Sequence, residues 1–377
     1  MKSTFTYFFV AFSFFIFFGC AFDDDFEVES IEDLEEKLDF EMKDQRIPAL
    51  SILIFKNDNV LYENYLGVSN IEANTTLTDV DMFLIASISK VLTATALLQL
   101  YENGAFDLDD PINDYLPFEV NVPGFSTEIT FKMLLTHTSA IADNDPVMDG
   151  QYYYNQDPSI SLSYFMENYF TVGGEFYDDN KNFYNDEPGS KHRYSNIGSA
   201  LIGVLVEEIS GQDFNSYCKN NIFLPLGMHN TSWRLDEINQ TIVTPYDYES
   251  GSYQEFQHYT NTDYPNGGLR TTVQDFHQFI TAFVNGGRSN NHQLLTQETV
   301  NTILTPYLTN SYGEEVGLHI FYNKQYKLWL HDGGEQGVST IMGFNKNSKV
   351  GAIIFTNQGY AEVENLLIKA YELGEKL

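Results

Sequence analysis

The run FLIASISKVLTATALLQL, residues 83–100, sets a serine three residues before a lysine where an apolar helix begins. Residues three apart lie side by side on one helix face. A serine hydroxyl is a poor nucleophile at neutral pH, and an unprotonated lysine beside it can take its proton. Ser87 and Lys90 are therefore a candidate nucleophile and proton partner. From Val91 to Tyr101 the run is rich in Ala and Leu, and it stops at Asn103-Gly104, a helix-ending pair. At the head of such a helix the macrodipole favours negative charge developing near Ser87.

On the N-terminal side of this run, Ser30 to Asp33 fits a capping box. Ile31, Leu34, Leu38 and Met42 then recur at helical spacing. ALSILIF (49–55) and VLYENYLGV (60–68) read as two strands around the turn KNDN. On the C-terminal side, VGLHIFY, KLWLHDGG, STIMGFN and VGAIIFTN are short β-rich runs, and a helix is expected over 361–376. Between lie short helical segments broken by turns, roughly 105–260. This order predicts an α+β fold: an antiparallel sheet flanked by helices and built from both chain ends, with a mainly helical lobe inserted. The stretch from Asp143 to Gly189 is dense in Asp, Asn and Tyr. It reads as a solvated excursion or as a loop overhanging a site.

Composition narrows the function. The chain has 377 residues, 43% of them hydrophobic, and a net charge of −33. Such a chain builds a large core, and its charge argues against nucleic acid and anionic membrane surfaces. Residues 1–19 hold an uncharged apolar run ending in Phe-Phe-Gly before Cys20. They resemble a bacterial lipoprotein signal, with Phe17 where leucine is usual, so cleavage before Cys20 and lipid on its sulfur are expected. The alternative is an uncleaved anchor. Residues 20–29 are an acidic tether and 30–377 the catalytic domain. Either way export to the cell envelope is expected. Only two cysteines occur, Cys20 and Cys218, so no disulfide framework is expected. Cys218 reads as a buried small apolar residue.

Spacing alone does not select the site. Ser-x-x-Lys recurs at Ser216–Lys219, and Tyr-x-Asn occurs six times. Context does select: Tyr194 stands after a Pro-Gly turn and just before a helix, whereas Ser216 lies inside a predicted helix. His-x-Gly occurs once, at His331–Gly333, ending a strand. There is no His-Glu-x-x-His and no Gly-x-Ser-x-Gly, so neither a metal nor an α/β-hydrolase elbow is expected, and no cofactor is expected.

The ordered set SISK (87–90), YSN (194–196) and HDG (331–333) resembles the serine β-lactamase and DD-peptidase superfamily, in the branch of class C β-lactamases, DD-carboxypeptidases and related esterases. ITFKMLLTHTSAI, NNIFLPLGMHNTSW and YPNGGLRTTVQDFHQFI also resemble family segments, and the likeness covers roughly 30–370. The resemblance implies that Ser87 forms an acyl-enzyme and that Lys90 and Tyr194 share the proton work, with the Tyr194 pKa lowered by an ammonium neighbour. It implies that Asn196 holds the substrate amide or the lysine. The N–H groups of Ser87 and Gly334 would form the oxyanion hole, with His331, Asp332 and Gly333 in the binding strand. His137 would support the site from outside, Asp275 would cap or tether a helix, and Asp186 and Glu187 would be solvated.

Asp332 stands where relatives carry threonine. A threonine hydroxyl donates to a substrate carboxylate; an ionised aspartate repels it, by roughly 4 kcal/mol at about 4 Å near a protein surface. Arg270 or His331 would have to compensate, or the Asp332 side chain points away. The expected function is an exported, lipid-anchored serine hydrolase with a small-molecule or peptide substrate, acting as a monomer. Its activity would be D-amino-acid-peptidase-like or esterase-like. The alternatives are a β-lactamase, or a catalytically silent binding relative.

Overall fold

The computed structural model describes residues 27–377. The apolar leader, Cys20 and most of the acidic tether lie outside the described residues. The α+β fold expected from the sequence is the fold observed. A nine-stranded antiparallel sheet runs in the order Leu308–Thr309, Glu315–Val316, Phe321–Asn323, Leu328–Glu335, Val338–Phe344, Val350–Thr356, Ala49–Lys56, Asn59–Asn70, Thr75–Thr76. The first long strand thus lies beside the last, with Ile52 opposite Ile354.

ALSILIF shows no polar alternation because both faces of its strand are covered. Leu50, Ile52 and Ile54 pack with Ile341, Ile354, Leu366 and Leu367 under the two terminal helices, Ile31–Asp44 and Glu364–Lys376. Leu53 and Phe55 face the other way and join Met342, Phe344 and Phe355 in the main core. A strand buried on both faces reads as a continuous apolar run. The first helix opens with the expected capping box: the Asp33 N–H donates to Ser30 Oγ (3.2 Å) and the Ser30 N–H donates back to Asp33 Oδ2 (2.9 Å).

Between Thr76 and Leu308 the chain leaves the sheet and covers its inner face. At the centre is the helix Ser89–Glu102, buried from Ser89 through Gln99 on every side, as an apolar helix without a polar face requires. The helix Asn196–Ser210 packs on it. Residues 83–84 pair with 270–271, and residues 152–154 pair with 259–261. No helix of the described residues is long and apolar enough to cross a membrane.

Candidate active site

Ser87 lies in a 3-10 turn, Ala86–Ile88, one step before the α-helix rather than in its first turn. Ala86 takes φ 48°, a left-handed conformation that costs an L residue energy and is common beside functional groups. The turn is pinned from both sides. Ser89 Oγ donates to Ala86 O (2.6 Å) and accepts from the Leu269 N–H (3.2 Å). Thr340 Oγ1 donates to Ile85 O (2.9 Å) from the sheet. Ser87 itself is half-buried and reachable.

Lys90 is fully buried. Its Nζ lies 3.0 Å from Ser87 Oγ, 2.7 Å from Asn196 Oδ1 and 2.7 Å from the Asn266 carbonyl oxygen. Burial lowers its pKa to about 7, against the opposing pull of Asp143, Asp263, Glu335 and Asp332. A large neutral fraction at neutral pH is what a base needs.

Tyr194 hydrogen-bonds to Ser87, as the motif order implied, but its pKa moves opposite to the expectation. Burial raises it well above 10, and the carboxylates of Asp332 and Asp143 add to the rise. The ammonium meant to lower it sits over the ring face, 5.0 Å from the centroid. At neutral pH the Tyr194 hydroxyl therefore keeps its proton, while the Lys90 amine has a large neutral fraction. The Tyr194 ring stacks on His137 at 4.4 Å. His137 Nδ1 accepts the Ser195 N–H (3.2 Å), so it supports the motif from behind. His319 lies 4.5 Å from His137 between ring centroids, and burial holds both far below the usual histidine pKa.

The strand Leu328–Glu335 meets the Ser87 turn at Gly333. A Cβ there would sit 2.4 Å from Thr340 Oγ1 and 2.5 Å from Ile85 O, so only glycine fits. That contact brings Gly334 alongside the Ser87 turn. Phe321–Asn323 pairs only as far as Leu330. From His331 to Glu335 the outer edge carries no strand among the described residues.

Register decides the Asp332 question. Asp332 pairs with Ile341 and Gly333 with Thr340, and opposed residues share a face. Ile341 packs on the terminal helices, so Asp332 turns to that face, away from Ser87. This corrects its place in the substrate-binding set. Burial raises its carboxyl to about 6, and Glu314 and Glu364 add to the rise. The two suggested compensators do not act. Burial and Lys90 push His331 down to about 3, leaving it neutral, and its Nδ1 is engaged with Asp332 O (2.6 Å). Arg270 is buried and donates to Gly268 O and Tyr259 O.

Reading the acid-rich stretch as a solvated excursion missed Asp143. Its carboxylate accepts from Ser195 Oγ (3.0 Å), Asn196 N (2.9 Å), Asn196 Nδ2 (3.0 Å) and Ile197 N (3.0 Å). In the same stretch Tyr152 OH donates to Glu335 Oε2 (2.9 Å), so part of it does wall the site. No local signal marks either residue, because every partner is distant in sequence. Asp186, by contrast, pairs with Lys191 and Arg193 on the surface. Asp275 accepts from Asn230 N (2.6 Å) and Thr231 Oγ1 (3.0 Å), tethering that loop to its helix. Cys218 is free and buried. No group of three or more metal-ligating side chains suited to an ion occurs among the described residues.

The chain matches a family model described as Beta-lactamase over residues 34–373. It is 24% identical over 343 residues to Protein flp of Staphylococcus aureus (strain N315), covering 90% of this chain and 65% of that one. It therefore spans just under two thirds of that relative's length. Among solved structures it resembles the octameric penicillin-binding protein homologue from Pyrococcus abyssi, with TM-score 0.77 and 23% identity over 91% of this chain and 77% of that one. It also resembles EstCE1, a hydrolase with promiscuous acyltransferase activity, with TM-score 0.72 and 16% identity over 91% and 98%.

Proposed function

The chain belongs to the Beta-lactamase family, and on that premise we propose that it is a serine hydrolase working through an acyl-enzyme on Ser87. The observation that carries this is the buried Lys90 amine, 3.0 Å from Ser87 Oγ and shifted to about 7.

Neutral Lys90 takes the Ser87 proton as Oγ bonds to the substrate carbonyl carbon. The carbonyl π pair moves to oxygen, where the N–H groups of Ser87 and Gly334 receive the charge. Collapse breaks the bond to the leaving nitrogen or oxygen, which takes the proton from the Lys90 ammonium by way of the Tyr194 hydroxyl. Water then adds to the ester and gives its proton to Lys90. The bond from the carbonyl carbon to Ser87 Oγ then breaks, Oγ takes that proton back from the Lys90 ammonium, and the acid leaves with Ser87 restored.

The charges around the crevice favour amide or ester substrates that are neutral or amine-bearing. Asp143, Asp263 and Glu335 surround Lys90 electrostatically, His331 is neutral and Arg270 is engaged elsewhere. Among the described residues, neither His331 nor Arg270 offers a substrate carboxylate a free cation there. The open strand edge from His331 suits an extended peptide, including one of D-amino acids. The same proposal includes export with lipid on Cys20. Mass spectrometry of the N-terminal peptide from membranes tests that part: a peptide beginning at an unmodified residue before Cys20 removes it.

Intact-mass labelling of the protein with a fluorophosphonate and, separately, with penicillin tests the chemistry. A fluorophosphonate adduct at Ser87, lost in Ser87→Ala, and little or no penicillin adduct are expected. A lasting penicillin adduct on Ser87 would favour a carboxylate-tolerant, cell-wall-peptidase-like site. Neither adduct in folded protein ends the catalytic reading.

A further inference from the structure

We propose that Asp143 is a positioning residue: by fixing which end of the Asn196 amide faces Lys90, it reserves the lysine lone pair for Ser87. The inference rests on the serine-hydrolase reading above and adds a residue to it.

A neutral amine has two N–H donors and one lone pair. Lys90 Nζ has three close polar partners in the acyl-accepting geometry: Asn266 O, Asn196 Oδ1 and Ser87 Oγ. A backbone carbonyl can only accept. If Asn196 also presents oxygen, both N–H groups are taken. The lone pair is then left for the one partner with a proton to give, the Ser87 hydroxyl. If Asn196 presented its NH2 instead, that group would compete for the lone pair, and an N–H of Lys90 would turn toward Ser87.

Asparagine alone does not choose between these states, since its two ends have nearly the same shape. Asp143 chooses. Its Oδ2 lies 3.0 Å from Asn196 Nδ2 and 2.9 Å from the Asn196 backbone N–H. A carboxylate accepts only, so the NH2 must face it and the oxygen must face Lys90. Its Oδ1 is held by Ser195 Oγ and the Ile197 N–H, both at 3.0 Å. Those donors stand at the N-terminus of the fifteen-residue helix Asn196–Ser210, where an anion is stabilised. The carboxylate is thus locked before it orients the amide.

Asp143→Asn keeps the shape and removes the acceptor-only character. The readouts are the pH profile of fluorophosphonate acylation at Ser87 and the melting temperature. A positioned base is worth about 10²–10⁴-fold, and a misaimed lone pair forfeits part of that, so acylation should fall about 10–100-fold. The partner variant Asp143→Asn/Asn196→Asp exchanges the two groups. Residue 196 then presents only acceptors to Lys90, while residue 143 can donate back. It should recover about tenfold over Asp143→Asn. Its acid limb should move to higher pH, because a carboxylate beside the amine favours the ammonium.

Unchanged rate and pH profile in Asp143→Asn overturn the inference while leaving the hydrolase reading intact. So does a slow Asp143→Asn, with a near wild-type melting temperature, that the exchange variant does not rescue: Asp143 is then only a helix cap. A wild-type protein that takes no probe overturns the hydrolase reading, and the inference with it.

Discussion

Ser87–Lys90 and Ser216–Lys219 share the same spacing and have opposite surroundings. In the first pair the lysine is buried among two acceptor oxygens and a serine hydroxyl. In the second both side chains are exposed, the Ser216 N–H donates to Asp213 Oδ1, and Lys219 pairs with Glu237 (2.6 Å). Such an exposed pair is an ordinary surface ion pair, worth roughly 0–1 kcal/mol. The difference teaches that the motif is not the chemistry. The chemistry comes from what burial does to the amine and from which oxygens are left to receive its hydrogens.

Paired substitutions can break that comparison. The largest effect is expected at the serines. Ser87→Ala should abolish fluorophosphonate labelling, measured by intact mass, and Ser216→Ala should leave it unchanged; labelling retained in Ser87→Ala would dispose of the assignment.

The lysines come next. Lys90→Met should slow acylation about 10²–10⁴-fold, and Lys219→Met should stay within about twofold. In the unmodified protein the acylation rate should climb with pH through about 7, because the reactive form of Lys90 is the neutral one. A profile flat from pH 5 to 9 would show that Lys90 is not the titrating base.

Gly333→Ala sharpens the comparison from the side of the sheet. The added methyl meets a backbone oxygen, Ile85 O, at 2.5 Å, so the strand must move off the Ser87 turn. Overpacking of this kind costs about 1–3 kcal/mol. Stability by urea titration and acylation rate should fall together; an unchanged rate would mean that the strand does not shape the site.

The smallest effect lies in the imidazoles behind Tyr194. His319 is buried, and its folded pKa is held well below the unfolded value of 6.5. Its contribution to stability is therefore full above pH 6.5 and is lost as pH falls below it, by up to about 1.4 kcal/mol per pH unit. Asp263 and Asp332, raised to about 7 and about 6, act in the opposite sense. The useful measurement is thus a difference between proteins. His319→Asn, which tolerates the φ of 54° at that position, should lose less stability between pH 6.5 and 5.5 than the parent. Parallel curves would clear His319 of any role in acid sensitivity.

The frame of the molecule was readable because it is encoded locally or by period. The capping box at Ser30–Asp33, the unbroken apolar run at 49–55 and the order of three short motifs each carry their own signal. The site's finer settings are encoded by contact. Asp143 acts through residues 195–197, Glu335 through Tyr152, and Asn266 through a main-chain oxygen, which no side-chain pattern reports. The orientation of Asp332 turned on strand register, since one step along a strand moves a side chain to the opposite face. The direction of the Tyr194 shift turned on where an amine sits relative to a ring, a matter of a few ångströms. A further Tyr-x-Asn, at 264–266, also reaches the site, through the Asn266 backbone carbonyl rather than through the side chains that define the pattern.

The pairing of Ala49–Lys56 with Val350–Thr356 also has a consequence in time. A central strand must wait for a neighbour made about 300 residues later. Until then one of its apolar edges has no partner, the condition in which strands join the wrong chain. Contacts of such long sequence separation also form slowly. Thr340, which pins the Ser87 turn, lies on Val338–Phe344, the strand on the other side of that late neighbour. The nascent chain thus carries Ser87 long before it can hold it in place, and fluorophosphonate labelling should emerge only as the sheet closes.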